Sequence, residues 1–146
     1  MKSLRAFEGT GNTLGGSLPT TIGLIPHLQN LTLEGNSMSG SIPTELGLLT
    51  ELKVLALGGG LTGTIPSELS GADQLRTLML RNNQLQGTIP TTFAQFRMLR
   101  MLRLSNDGLT GSFPSAIFSL SNLGTRCFVS ANLAGLLNYI YYVWIK

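Results

Sequence analysis

Cysteine is almost absent: Cys127 stands alone in 146 residues, so no internal disulfide can form and a framework of bridges is excluded. One thiol leaves the redox compartment undecided. Histidine is equally scarce. His27 is the only one, it lies 100 residues from Cys127, and no metal site can be built from the two. Charge is thin as well, at 12 % of residues with a formal net of +3, which excludes a charge-rich disordered chain and gives no reason to expect nucleic acid. The opening Met1-Lys2-Ser3-Leu4-Arg5 leads into no apolar stretch, so no secretory signal is expected.

What the chain does have is glycine, 18 residues of it, and six prolines. Their placement is periodic. Pro19, Pro43, Pro66, Pro90 and Pro114 follow one another at 24, 23, 24 and 24 residues. They end five copies of one phrase: Gly16-Ser-Leu-Pro19, Gly40-Ser-Ile-Pro43, Gly63-Thr-Ile-Pro66, Gly87-Thr-Ile-Pro90 and Gly111-Ser-Phe-Pro114.

Apolar residues return in fixed slots after each proline. Three residues on come Ile22, Leu46, Leu69, Phe93 and Ile117; six on come Ile25, Leu49, Ala72, Phe96 and Leu120. Nine on, the slot is always leucine, at Leu28, Leu52, Leu75, Leu99 and Leu123. The three-residue spacing suits a tight 3-10 segment. The spacing then closes to two in Leu31 and Leu33, Leu55 and Leu57, Leu78 and Leu80, Leu102 and Leu104, as in a short strand with one buried face. Each unit reads as strand, turn and proline-led loop. A single unit cannot bury its own apolar edge, so neighbours must stack.

One slot carries turn chemistry. Asn12, Asn36, Asn83 and Asp107 occupy it, where an inward amide can bond the backbone of the bend. The unit from Pro43 to Pro66 is one residue short and reads Leu57-Gly-Gly-Gly-Leu61 without the asparagine, which predicts a local flaw softened by glycine.

The pattern L-x-x-L-x-L-x-x-N-x-L-x-G-x-I-P resembles the plant-type leucine-rich repeat of receptor-like kinase and receptor-like protein ectodomains and of polygalacturonase-inhibitor proteins. The likeness covers residues 4–123. It implies a solenoid of 24-residue units, an α/β repeat with short parallel strands on a concave face and loop or 3-10 segments on the convex face. Residues 1–123 are expected to form these repeats, the first copy truncated. Residues 124–146 are expected to form a degenerate terminal repeat with an apolar aromatic tail.

Both ends depart from the family pattern. The first unit begins mid-repeat, without the cysteine-containing cap and signal peptide usual in the family, so the chain reads as a fragment of a longer one. Towards the other end, Phe128, Leu133, Gly135 and Leu137 keep the frame, while Arg126, Ala131 and Asn138 replace leucine, asparagine and proline. Residues 127–145 carry no charge and finish Tyr139-Ile-Tyr-Tyr-Val-Trp-Ile145. Three readings stand: a decayed sixth repeat whose aromatic tail caps the stack, a membrane-spanning helix that anchors the chain through residues 127–145, and translated non-coding sequence. The in-frame leucines favour the first.

No catalytic constellation can be assembled. His27 has no serine or cysteine partner at a useful spacing and reads as a rim residue; Cys127 sits in an outward slot with no motif around it. The glycines follow the repeat rather than a phosphate loop. The chain is therefore expected to be no enzyme, with no cofactor and no metal. Asn30-Leu31-Thr32 is a glycosylation sequon that matters only in a secreted protein.

The outward residues of successive strands form columns. Gln29, Lys53, Arg76 and Arg100 make one, Asn30, Val54, Thr77 and Met101 the next, then Thr32, Ala56, Met79 and Arg103, and last Glu34, Gly58, Arg81 and Ser105. The middle unit offers a bare strip of Val54, Ala56, Gly58 and Gly59. Charge divides along the chain: residues 1–73 sum to −3 and residues 74–146 to +6. The expected binding patch is Thr77, Met79, Arg81, Met101, Arg103 and Ser105, because arginine forks onto carboxylates and methionine adapts its shape. The alternative is a solvated charged face. The column of Lys53, Arg76 and Arg100 reads as rim. The ligand expected is an acidic protein, peptide or sulfated or uronic glycan. The family likeness implies recognition at the cell surface, within a longer receptor-like chain. Two other functions stay open: an intracellular interaction scaffold in the cytoplasm, and a secreted inhibitor of a glycan hydrolase.

Overall fold

The computed structural model describes residues 3–104 and 108–120, together with the backbone of 127–130 and 140–143. In chain order the strands and 3-10 helices are β1 (Ala6–Glu8), β2 (Gly15–Ser17), η1 (Thr20–Leu24), β3 (Asn30–Thr32), β4 (Ser37–Ser39), η2 (Thr44–Leu48), β5 (Val54–Ala56), β6 (Thr62–Thr64), η3 (Ser67–Gly71), β7 (Thr77–Met79), β8 (Gln84–Gly87), η4 (Thr91–Gln95), β9 (Met101–Arg103), β10 (Gly108–Leu109), η5 (Ser115–Ser119), β11 (Cys127–Ser130) and β12 (Ile140–Val143).

Each recurring proline sits immediately before a 3-10 helix, at Pro19, Pro43, Pro66, Pro90 and Pro114. Its ring fixes φ and its missing N–H costs nothing at a helix start. From there the backbone steps in threes: Ile22 N–H bonds the Pro19 carbonyl, Ile25 N–H that of Ile22, and Leu28 N–H that of Ile25. Three residues per turn put those three side chains on one face, which explains the sequence spacing. Ile22, Leu46, Leu69, Phe93 and Ile117 are all buried.

The strands β1, β3, β5, β7 and β9 form one parallel sheet in that order. Its register stacks Phe7, Leu31, Leu55, Leu78 and Leu102 in one column. The four leucines are fully buried, whereas Phe7, on the edge strand, keeps 45 % of its surface. Burying one such leucine is worth about 1.5–3 kcal/mol, and every unit repeats the gain against its neighbours. Phe93 and Phe96 are both fully buried in one unit, their rings tilted by 56° with centroids 4.8 Å apart. The slot of Phe96 is held by the much smaller Ala72 one unit earlier, so a large ring stacks beside a small side chain there.

A second set of short parallel strands was not foreseen in the sequence. It pairs β2 with β4, and β6 with β8 and β10. The two groups meet through a single bridge, Ser41 to Thr62. These strands lead into the proline phrase, and the glycine of that phrase has positive φ in every copy, at Gly16, Gly40, Gly63, Gly87 and Gly111. That left-handed step is why glycine recurs there.

The two asparagines of the complete units are buried and bonded to backbone. Asn36 Nδ2 donates to the carbonyls of Leu33 and Gly9, at 2.9 and 2.8 Å, and its Oδ1 accepts from Leu14 N–H at 3.0 Å. Asn83 donates likewise to Leu80 and Leu57. Asn12, in the first copy, is exposed and donates to Gly9 and Thr10; Asp107 lies outside the described residues. In the short unit, Asn83 Oδ1 accepts from three amides, those of Gly59, Gly60 and Leu61. A Cβ at Gly59 would overlap the Asn36 carbonyl, and both Gly59 and Gly60 have positive φ, at 137° and 134°. The backbone itself thus fills the place of the missing side chain.

The tail differs from the membrane-helix reading where it is described. β11 and β12 pair antiparallel, Cys127 opposite Val143 and Ser130 opposite Ile140, and β11 packs beside β9. Extended backbone over those segments excludes a continuous helix through 127–145. The rest of that stretch, and the expected boundary after residue 123, lie outside the described residues. Among the described residues, no helix is long and apolar enough to cross a membrane.

Candidate recognition surface

Strand pleating sends alternate side chains to opposite faces. Leu55, Leu78 and Leu102 point inward, so the residues on either side of them point out. Register places Thr77 beside Met101 and Met79 beside Arg103, with Val54 and Ala56 on the preceding strand. Thr77, Met79, Met101 and Arg103 are each half-buried by their neighbours. Strand spacing of about 4.8 Å makes this a continuous surface rather than separate side chains. Ser105 lies outside the described residues.

Arg81 follows β7, at the start of the turn, and is committed to a partner. Its Nε donates to Glu34 Oε1 at 2.8 Å. The two residues stand two units apart, and Gly58 lies between them. A Cβ at Gly58 would approach the Arg81 carbonyl to 2.7 Å and Glu34 Cγ to 3.8 Å. The expected bare strip is therefore bridged: Gly58 is buried and Ala56 keeps only 1 % exposure. A cleft of about 260 Å³ runs beside the pair, lined by Thr10, Gly35, Gly59 and Asn82 as well as Glu34 and Arg81. Asn82 has φ of 59°, the left-handed step that Gly11 and Gly35 take in the equivalent turns. Glu34, Gly58 and Arg81 stand in one column of the sequence, and a glycine between opposite charges lets them meet.

The column at the strand start is continuous too. Arg76 N–H bonds the Lys53 carbonyl and Arg100 N–H the Arg76 carbonyl, each at 2.8 Å. Lys53 Nζ donates to Gln29 Oε1 at 2.8 Å, and Gln29 Nε2 donates to Glu51 Oε2 at 3.2 Å. Glu51 Oε1 meets His27 Nδ1 at 2.7 Å, with His27 half exposed. These hydrogen bonds, that of His27 first and that of Gln29 second, hold the Glu51 carboxyl below its ordinary pKa. His27 thus belongs to a polar rim network that spacing alone did not reveal. Arg76 Nε is buried and has no hydrogen-bond partner among the described residues.

Apart from the Arg81–Glu34 pair, acids and bases lie on different strands of the sheet. Glu8 and Glu34 flank the first two strands of the sheet, while strands β7 and β9 and the turn after β7 present Arg76, Arg81, Arg100 and Arg103 and no acid. Guanidinium groups on such a surface suit planar anionic groups such as carboxylates. Among the described residues no group of three or more His, Cys, Asp or Glu is placed to hold a metal.

Two family models, both described as leucine-rich repeat, match residues 50–109 and 27–49. Among solved structures, the chain is similar to a TDR receptor, at 37 % identity and a TM-score of 0.84, over 89 % of this chain and 23 % of that one. It is similar to the plant peptide hormone receptor RGFR1 in complex with RGF2, at 37 % and 0.82, over 84 % of this chain and 20 % of that one. A third is the Arabidopsis receptor kinase HAESA in complex with the peptide hormone IDA and the co-receptor SERK1, at 33 % and 0.80, over 88 % of this chain and 22 % of that one. The chain thus spans about a fifth to a quarter of these receptors. No curated protein sequence matches it. With its 24-residue units, its proline-led 3-10 helices and its likeness to plant receptor ectodomains, the chain belongs to the leucine-rich repeat family.

Proposed function

We propose that this chain is a non-catalytic recognition module that binds an acidic peptide on its concave sheet, as part of a longer receptor-like protein at the cell surface. The contact surface would be Thr77, Met79, Arg81, Met101 and Arg103, with Ser105 beside them. The observation that carries the reading is the grouping of Met79, Arg81, Met101 and Arg103 on and just after β7 and β9, with Thr77 among them and no acid on either strand. Arginine and methionine are residues that interfaces favour. A peptide is preferred to a glycan because two of the similar structures hold peptide hormones. Extracellular placement is drawn from the same receptors.

The test uses the full chain and a fluorescent peptide of alternating glutamate and leucine, with a lysine–leucine peptide as control. The chain is expected to bind the acidic probe and not the basic one. Replacing Arg81 and Arg103 together with glutamate is expected to weaken binding by roughly a hundredfold or more, as loss of two charge pairs requires, with a cooperative melt retained at a lower temperature because Glu34 then faces a second carboxylate. Equal affinity for both probes, or unchanged affinity in the double variant, would remove this surface as the site.

A further inference from the structure

The ion pair across Gly58 leaves most of its arginine unused. Glu34 Oε1 engages only Nε–H, at 2.8 Å, and Arg81 Nη1 and Nη2 take no protein partner among the described residues. Exposure is unequal: the Glu34 side chain keeps 15 % of its surface and Arg81 keeps 42 %. The carboxylate is the sunken member and the guanidinium the outer one.

A guanidinium can be gripped along two edges, one through Nε and one through the paired Nη groups. Here the first is taken by the protein and the second is free. We infer that Glu34 is a positioning residue: it holds Arg81 through Nε so that the Nη1–Nη2 edge is presented, already oriented, to a carboxylate of the ligand. The inference rests on the acidic-peptide reading of the concave surface. Arginine otherwise loses considerable rotamer freedom on binding, and a partner that fixes it beforehand lowers that cost. Gly58 completes the device. Any side chain there would stand between residues 34 and 81, and its Cβ would already crowd the Arg81 carbonyl. The short unit thus supplies the gap through which the two charges meet.

Simple charge counting predicts the opposite of positioning, which makes the claim testable by sign. An acid next to an anion site repels the ligand, so its removal ought to tighten binding. If Glu34 orients Arg81, its removal weakens binding instead.

The experiment measures anisotropy of the glutamate–leucine probe on the full chain with Glu34→Ala, Glu34→Gln, Glu34→Asp and Arg81→Ala, and records the Arg81 Nε–H signal by NMR. Glu34→Gln keeps an acceptor for Nε and is expected to bind as well as wild type. Glu34→Ala is expected to bind about tenfold more weakly, with the Nε–H signal broadened or lost. Glu34→Asp keeps the charge but is a methylene too short, and is expected to weaken binding as alanine does. Should the alanine variant fail to fold, the glutamine–aspartate contrast decides alone. Tighter binding by Glu34→Ala, or equal binding by Gln and Asp, would overturn the positioning role while leaving the surface in place. No effect of Arg81→Ala would instead defeat the reading of the site itself.

Discussion

Two neighbouring units solve the same problem differently. In the unit from Pro19 to Ile42, Asn36 donates to Leu33 of its own bend and to Gly9 of the preceding one, and accepts from one amide, that of Leu14 in the preceding unit. In the unit from Pro43 to Ile65 there is no asparagine and one residue fewer; the bend is closed by three glycines, and the amides of Gly59 and Gly60, with that of Leu61, turn to Asn83 of the next unit. The difference teaches that the requirement lies in the buried N–H and C=O groups, not in the asparagine as such. An interior polar group can be satisfied by a neighbour, provided the backbone is small enough to approach it. Asn36 and Asn83 each bond two units, and the glycine bend adds two further amides, those of Gly59 and Gly60, to what Asn83 accepts.

The largest disturbance expected is indifferent to which unit carries which solution. Leu78 is fully buried in the column shared by every strand, and Leu78→Asp places a carboxylate there without a partner. The variant is expected to lose its cooperative melting transition, because a buried uncompensated charge costs more than marginal stability allows. A melting curve like that of wild type would contradict the register of β7.

Removing the two asparagines sharpens the comparison directly. Asn83→Ala removes the partner of two amides, Gly60 and Leu61, and two carbonyls, Leu57 and Leu80, while Gly59 keeps the Asn82 carbonyl; Asn36→Ala removes the partner of one amide, Leu14, and one carbonyl, Leu33, while Gly9 keeps Asn12. With about 1–3 kcal/mol for each buried group left unpaired, and water reaching some of them, Asn83→Ala is expected to cost about 4 kcal/mol and Asn36→Ala about 2 kcal/mol in urea unfolding. Equal losses would mean that the glycine bend does not depend on Asn83.

The smallest effect is expected outside the core, at the rim. The Glu51 carboxyl has a folded-state pKa below its ordinary value, so its contribution to stability is present above that ordinary value and lost as pH falls through the lowered one. Because the group is solvated, Glu51→Gln is expected to shift the melting temperature only slightly at neutral pH and not at all below the lowered pKa. Comparing the two proteins across an acid titration checks both the sign and the window.

Most of the fold was legible because the repeat states it five times over. The prolines gave the unit boundaries, the threes gave the 3-10 turns, and the twos gave the concave strands. The second set of strands was not legible: Gly15-Gly-Ser17 and Thr62-Gly-Thr64 carry almost no apolar alternation, since neither face of these segments is well buried. Columns of the candidate surface could be written from spacing alone, as Thr77 beside Met101 and Met79 beside Arg103. What spacing could not supply was reach. Glu34 touches Arg81, and His27 touches Glu51, because long side chains span between units, and a column shows only where each begins.

The split in the second set of strands has a mechanical consequence. One side of the molecule is a continuous ribbon of five hydrogen-bonded strands, while the opposite side is interrupted between β4 and β6 and held there by one bridge. A strip that is whole on one side and scored on the other does not flex evenly. Bending or pulling concentrates at the score line, which here coincides with the short glycine unit and with the arginine–glutamate strap laid across it. A change in the curvature of the stack is therefore expected between β4 and β6 before it is expected along the five-stranded sheet.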